Sequence, residues 1–325
     1  MKKYRNLVLL SAIILLLFSV VCVSLAVGKF PITVEGLILG NEMMGRVFLT
    51  LRLPRTMVAV IGGFALGIAG SVFQTVFHNP LAAPDMIGVS SGASAGAAFA
   101  ILFASGTVFS VGLASFIGGL AAVIVTLLLS GAVKNGGKAS IVLAGIAVHS
   151  LCQTVLMFLK TAADPERELA SIEYWIMGAL NGVSLKNSYV NMIICVVSVL
   201  PIFLLSRQII MLSNSEDEAK MLGVPVNKMR FVVLIFATLA VTSTVSVTGI
   251  ISFVGLLAPH AAALMTKKVD SFTLLLSGLC GSILLTVADV FSRSLASSEL
   301  PVSIFTSLIG APFLVWLLWR ERRRA

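Results

Sequence analysis

Long apolar stretches, separated by short polar gaps, follow one another through nearly the whole chain. An α-helix rises 1.5 Å per residue, so about 20 apolar residues cross the hydrocarbon core of a bilayer. The pattern therefore predicts an all-α integral membrane protein with about ten transmembrane helices. A short gap at 247–250 separates the seventh and eighth stretches, and the alternative is that these two form one span. The predicted spans are Leu7–Val27, Thr56–Phe77, Asp85–Ala104, Phe109–Val133, Ser140–Lys160, Tyr189–Ser206, Phe231–Val247, Ile251–Thr266, Ser271–Phe291 and Ile304–Trp319.

Composition excludes an ordinary soluble protein. The chain is 58% hydrophobic and 11% charged, whereas soluble domains are about half apolar and one-quarter charged. A soluble helical protein would also need a polar face on most helices, which these stretches lack. We therefore expect residues 1–325 to form a single transmembrane domain. Lys2, Lys3 and Arg5 precede the first stretch as in a signal peptide, but no small-x-small cleavage site follows, which favours an uncleaved signal anchor.

Basic residues predict the orientation. With an even number of spans, most of the 23 Lys and Arg residues fall on one side of the membrane. Cytoplasmic loops retain positive charge, so both termini are expected in the cytoplasm. The net charge of +9 follows mainly from this bias and does not indicate a nucleic-acid partner.

The chain shows no arrangement of residues that indicates catalysis, ATP hydrolysis or metal binding. Residues Gly136–Ala139 resemble a phosphate-binding loop, but the first glycine and the Ser or Thr after the lysine are missing. The three His and four Cys residues fall in unrelated segments. Ionisable residues are scarce within the spans, apart from Asp289 near Arg293, so the coupling sites of an ion-driven carrier are not evident. A transport subunit that takes its energy from another protein is the better hypothesis, and a self-sufficient secondary transporter is the alternative.

The longest cytoplasmic loop, 207–230, carries a short predicted helix. Acidic residues suit its first turn, and Gly223 can end it. The helix is expected to present Ala219, Met221 and Leu222. So short a helix is marginal alone in water, and docking against a partner would stabilise it. A solvated connector is the alternative.

Several motifs resemble the FecCD family, the ABC-type permeases for iron-siderophore, haem and cobalamin uptake in bacteria. The pattern of Glu216, Ala219, Leu222, Gly223 and Val224 is similar to the coupling helix of that family. Further matches follow in the order of the family: Leu51–Arg55, Asn79–Pro84, Trp175–Gly178, Gly249–Leu256, Pro259–His260, Glu299–Val302 and Gly310–Pro312.

The chain also departs from the family at three positions. Many relatives have Arg at the position of Ala263, Gly at that of Ser303, and Arg or Glu at that of His78. These departures leave the substrate unassigned.

The resemblance implies the fold of a type II ABC importer permease in the bacterial cytoplasmic membrane. It implies that a cytoplasmic ABC ATPase dimer binds ATP and Mg, and that this chain itself holds no cofactor or metal. An extracytoplasmic solute-binding protein would deliver an iron-siderophore or a related chelate. The permease would work with a second copy of itself or with a homologous partner.

Three groups of residues take roles by this resemblance. Coupling to the ATPase would involve Glu216, Ala219, Met221, Leu222, Gly223 and Val224. The binding protein would dock on Arg52, Arg55 and Arg293, since the arginine fork binds carboxylates bidentately; pairing with lipid headgroups or loops is the alternative. Glu299 would be a local partner of these arginines or would orient them. The cytoplasmic gate would include Asn79, Pro80 and Leu81, for which an ordinary tight turn is the alternative.

Overall fold

Helices make up almost all of the structure, a computed structural model that describes residues 2–132, 137–214, 216–296 and 298–322. These ranges contain no β-strand. The helices are α1 (Lys2–Ala26), α2 (Val34–Ile38), α3 (Glu42–Val47), α4 (Leu53–Phe77), α5 (Val89–Phe103), α6 (Val108–Ala132), α7 (Lys138–Ala162), α8 (Glu168–Met177), α9 (Leu185–Leu204), α10 (Ser206–Met211), α11 (Glu216–Met221), α12 (Val226–Thr248), α13 (Val254–Thr266), α14 (Ser271–Ser294) and α15 (Val302–Arg322).

The predicted spans are confirmed as helices. Within the described ranges, seven helices are long and apolar enough to cross a membrane, and three shorter apolar helices accompany them. The shorter ones are α5, α13 and the apolar part of α15. Together these helices match the predicted set, although the predicted end of the fourth span at Val133 lies outside the described residues.

A break at Gly249 separates α12 from α13. Gly249 has a φ of +70°, and a Cβ there would lie 2.1 Å from the carbonyl oxygen of Trp175. Only glycine accepts both that conformation and that close approach. The seventh and eighth apolar stretches are therefore two helices, and the single-span alternative is wrong.

The centre of the bundle is the packing of α4 against α14. A Cβ on Gly63 would lie 2.4 Å from the carbonyl oxygen of Gly281, and the reverse distance is 2.1 Å. Such contact between backbones needs small residues on both helices. Buried apolar side chains such as Phe73 and Leu285 surround this contact. By contrast, α1 and α7 leave most of their surface uncovered.

Candidate functional site at the two ends of the bundle

The short helix of the 207–230 loop is fixed to the bundle by an ion pair. Oε1 of Glu216, at the start of α11, accepts a hydrogen bond from Nη2 of Arg230 at 2.7 Å. Arg230 is buried in α12. The Arg230 hydrogen bond lowers the pKa of Glu216. This contact holds α11 in place although six residues are too few for a helix that is stable alone.

The six residues assigned to coupling divide into buried and exposed groups. Ala219 and Val224 are buried against the bundle, so the expectation that Ala219 faces outward is wrong. Its small side chain lets α11 lie close to its neighbours. Met221 is 87% exposed and Leu222 is 57% exposed. The loop therefore presents two large apolar side chains to its surroundings, just before the turn at Gly223, which has a φ of +80°.

His78 joins this loop to two other elements. It ends α4 in a left-handed conformation, with φ of 51°. Its Nε2 lies 2.8 Å from the carbonyl oxygen of Asn214 and must donate, because a carbonyl only accepts. Its Nδ1 then accepts from Nζ of Lys138, at the start of α7. The sequence flagged His78 only as a departure from the family, since a contact across 136 residues leaves no local pattern.

The predicted gate residues follow directly after His78. Oδ1 of Asn79 accepts a hydrogen bond from the backbone N–H of Leu81 at 2.9 Å, which closes a tight turn. The side chain of Leu81 is exposed. Asn79 and Pro80 line a cavity of about 370 Å³ that also contains Gln74 and His260. The geometry is compatible with a turn and with a gate, and the gate assignment stays a prediction.

The opposite end of the bundle brings the three predicted arginines together. Nε of Arg55 donates to Oδ1 of Asp289 at 2.7 Å, and its Nη1 donates to Oε2 of Glu299 at 2.8 Å. Nη2 of Arg293 donates to the carbonyl oxygen and to the hydroxyl of Ser24, each at 2.7 Å. Nε of Arg293 lies 3.5 Å from Oδ2 of Asp289, which confirms the predicted proximity of these two residues.

Arg52 has a different set of partners. Its Nη1 donates to the carbonyl oxygens of Leu25 at 3.0 Å and Ala26 at 2.6 Å, and its Nη2 donates to that of Phe30 at 2.6 Å. These carbonyls lie at or just beyond the end of α1, where a cation is favourable because the helix dipole is negative there. All three arginines are buried, and their docking role stays a prediction. They line a cavity of about 170 Å³, together with Lys29 and Glu299. We call Arg52, Arg55, Arg293, Asp289 and Glu299 the arginine cluster.

A larger cavity lies on the arginine-cluster side, beside α8. Its volume is about 620 Å³. Arg167, Tyr174 and Trp175 line it, and the Nδ2 of Asn181 donates to the hydroxyl of Tyr174 at 2.6 Å. Tyr174 and Trp175 belong to α8, whose first residue is Glu168.

Metal ligands do not cluster in the described part of the chain. No group of three or more His, Cys, Asp or Glu side chains in those ranges is placed to hold a metal ion. All four cysteines are free thiols, and two of them, Cys195 and Cys280, are buried.

Comparisons with known proteins identify a family and several relatives that match this chain. The model of the FecCD transport family matches residues 14–320. The cobalamin import system permease BtuC of Halobacterium salinarum is 37% identical over 278 residues, which is 85% of this chain and 74% of that protein. The hemin transport system permease HmuU of Yersinia pestis is 32% identical, over 87% of this chain and 86% of that protein. A solved structure described as an inward-facing metal-chelate type ABC transporter is 28% identical with a TM-score of 0.87, covering 96% of this chain and 99% of that one.

The helical bundle, its apolar surface and these matches define a multi-pass membrane subunit of an ABC transporter. The chain belongs to the FecCD transport family. The resemblance drawn from the sequence motifs is thereby confirmed.

Proposed function

We propose that this chain is the permease subunit of an ABC importer that moves a metal chelate, such as an iron-siderophore, haem or cobalamin, across the cytoplasmic membrane. The family membership supports an import function. The names of relatives that import cobalamin and hemin support the substrate class. In this proposal both termini face the cytoplasm, as the distribution of basic residues suggests.

The observation that carries this proposal is the fixed, apolar surface of the 207–230 loop. Met221 and Leu222 stay exposed while the Glu216–Arg230 pair holds α11, which ends at Met221. Exposed apolar side chains on an ordered loop are suited to docking in a complementary cleft. We infer that a cytoplasmic ATPase dimer, which binds ATP and Mg, supplies that cleft.

The rearrangement of the ATPase would reach the membrane through His78. This residue contacts the loop at Asn214 and α7 at Lys138, and it directly precedes Asn79. A displacement of the loop would therefore act on the end of α4 and the start of α7 together. We infer that Asn79, Pro80 and Leu81 then open or close the cytoplasmic side of the pathway.

The surface of α7 supports a pathway between two copies of the chain. Ser150, Thr154 and Thr161 are exposed and follow a helical spacing that places them on one face. Their hydroxyls donate to carbonyl oxygens of the same helix, which leaves acceptor lone pairs directed outward. Polar groups at membrane depth are usually covered by protein or line a water-filled space. A second permease copy, identical or homologous, would cover this face of α7 and would enclose a water-filled space against it.

Delivery of the chelate would occur at the arginine cluster. A solute-binding protein with carboxylates on its docking surface would complement the guanidinium groups there. The 620 Å³ cavity beside α8 lies on the same side and is large enough for a small organic ligand.

Reconstitution into proteoliposomes tests the proposal. The permease, a partner ATPase and a candidate solute-binding protein would be combined, and uptake of labelled ferric siderophore, haem and cobalamin would be measured with and without ATP. We expect uptake to need ATP and both partners, and the purified permease alone to hydrolyse no ATP. Uptake driven by an ion gradient without any ATPase would instead identify a secondary transporter.

A further inference from the structure

Arg55 is the arginine of the cluster whose hydrogen bonds all go to carboxylates. Arg52 donates to three backbone carbonyls, and Arg293 donates to Ser24. These bonds attach α1 to the rest of the bundle. Arg55 instead binds Asp289 and Glu299, so it is already engaged with the kind of group that a docking protein would offer.

The two carboxylates differ in how easily they can leave. Asp289 is fully buried within α14, between Arg55 and Arg293, and removing it would take the ion-pair partner from Arg293 and one of two from Arg55. Glu299 lies in the loop after α14, and its side chain is 31% exposed. It can therefore turn into water, where its carboxylate is well solvated, at much lower cost.

Only one of the two terminal nitrogens of the Arg55 guanidinium has a hydrogen-bond partner among the described residues. Nη1 binds Glu299, whereas Nη2 is buried and has no hydrogen-bond partner among the described residues. A carboxylate binds an arginine most strongly when it accepts from two nitrogens at once. An incoming carboxylate that binds Nη1 and Nη2 together would compete with Glu299 for Nη1.

We propose that Glu299 is an internal competitor, which occupies Arg55 in the free permease and is displaced when a carboxylate of the docking partner binds. The proposal rests on the docking role given to the cluster under the proposed function. It assigns docking to Arg55 in particular, and it gives Arg52 and Arg293 the task of holding α1. It also predicts that removing the negative charge of Glu299 strengthens the binding of an acidic partner more than removing a negative charge at another position does.

Chemical footprinting of the full-length permease in lipid nanodiscs tests the competitor directly. Phenylglyoxal modifies accessible arginines, and mass spectrometry measures the rate at Arg55. We expect Glu299→Gln to raise this rate about fivefold, the factor that corresponds to a contact worth about 1 kcal/mol. Propionate, a simple carboxylate probe, should protect Arg55 at about fivefold lower concentration in the variant than in the wild type.

Two further variants separate occupancy from charge. Glu299→Asp keeps the charge but is one methylene shorter, so it should also raise the rate if contact with Nη1 matters. Glu42→Gln removes a carboxylate from an exposed pair with Arg46 and should leave the reactivity of Arg55 unchanged. Equal rates in the wild type and in both Glu299 variants, or slower modification in the variants, would overturn the proposal, because Glu299 would then position Arg55 without competing for it.

The second arm uses the solute-binding protein that supports uptake in the reconstituted system. Its affinity for the nanodisc permease should rise about fivefold in Glu299→Gln. A lower affinity in that variant, with uptake still intact, would sink the competitor proposal but not the transport function. If no binding protein supports uptake, the proposed function fails, and the propionate arm still decides whether Glu299 occupies Arg55.

Discussion

The Nε2 of His78 donates a hydrogen bond to the carbonyl oxygen of Asn214, 2.8 Å away, and thereby ties the end of α4 to the loop that precedes α11. The same imidazole contacts Lys138 at the start of α7. Three segments that are far apart in the sequence thus meet at one side chain. If the loop receives the motion of an ATPase, His78 offers one contact through which that motion would pass to α4 and α7.

Replacing His78 with alanine should reduce transport more than ATP hydrolysis. The variant loses the hydrogen bond to Asn214, worth about 1 kcal/mol, so the chelate transported per ATP hydrolysed should fall about fivefold. Parallel uptake and phosphate-release assays on the reconstituted importer measure this ratio. His149→Ala, within α7 and outside this contact, serves as the control and should keep the wild-type ratio. An unchanged ratio in His78→Ala would rule out transmission through this residue.

Replacing Leu222 with glutamate should prevent docking of the ATPase. Leu222 is exposed beside Met221, and burying a charge there without a partner would cost about 2 kcal/mol or more. Association in detergent, measured by co-purification, should weaken at least tenfold. Leu39→Glu places the same charge on an exposed residue just after α2 and should have no effect. Normal association of the Leu222 variant would show that the ATPase binds elsewhere.

The attachment of α11 should depend on pH in a defined direction. Arg230 lowers the pKa of Glu216, so the stabilisation is present above the ordinary glutamate pKa of about 4.3 and is lost as the pH falls through the lowered value. Glu216 is partly exposed, which limits the contribution to about 1 kcal/mol. Hydrogen exchange of the α11 amides, corrected for intrinsic rates, should show constant protection from pH 7 to 5 and lower protection below about 4.

The matched variant for this experiment is Glu216→Gln. It should show the weaker protection at every pH, because it cannot form the ion pair. If the wild type and the variant follow the same pH profile, the Glu216–Arg230 pair does not hold α11.

Replacing Arg52 with alanine should loosen α1 and not merely weaken partner binding. The side chain satisfies three carbonyls around the end of α1, and hydrogen bonds from a charged group are worth about 1.5–3 kcal/mol. The apparent Tm of the purified permease should therefore fall by several degrees, while Arg46→Ala, which alters an exposed pair with Glu42, should not change it. An unchanged Tm together with weaker binding-protein affinity would return Arg52 to a purely docking role.

Features of the fold that depend on continuous stretches of residues could be predicted from the sequence. The transmembrane helices follow from runs of apolar residues, and the break at Gly249 lies in the short gap that the pattern already showed. The end of α4 was likewise marked, since Pro80 and Pro84 prevent a helix from continuing. These signals are local, so they can be recognised without knowing how the helices pack.

The partners of the site residues could not be predicted in the same way. The Arg55–Glu299 contact joins residues 244 positions apart, and only the packing of α4 against α14 brings them together. The burial of Ala219 depends on the angle at which α11 meets the bundle, which its own six residues do not determine. The motifs select candidate residues, while tertiary packing decides which atoms they contact.

The bond between Ser24 of α1 and Arg293 of α14 forms late in the synthesis of the protein. The ribosome synthesises α1 well before α14, so Ser24 meets its partner Arg293 only after a further 269 residues have been added. Until then the first helix lacks the contact that joins it to α14. Arg52 can attach α1 to the start of α4 early in synthesis, whereas the bond from Ser24 to α14 forms late, and a nascent chain stopped before Arg293 would lack it.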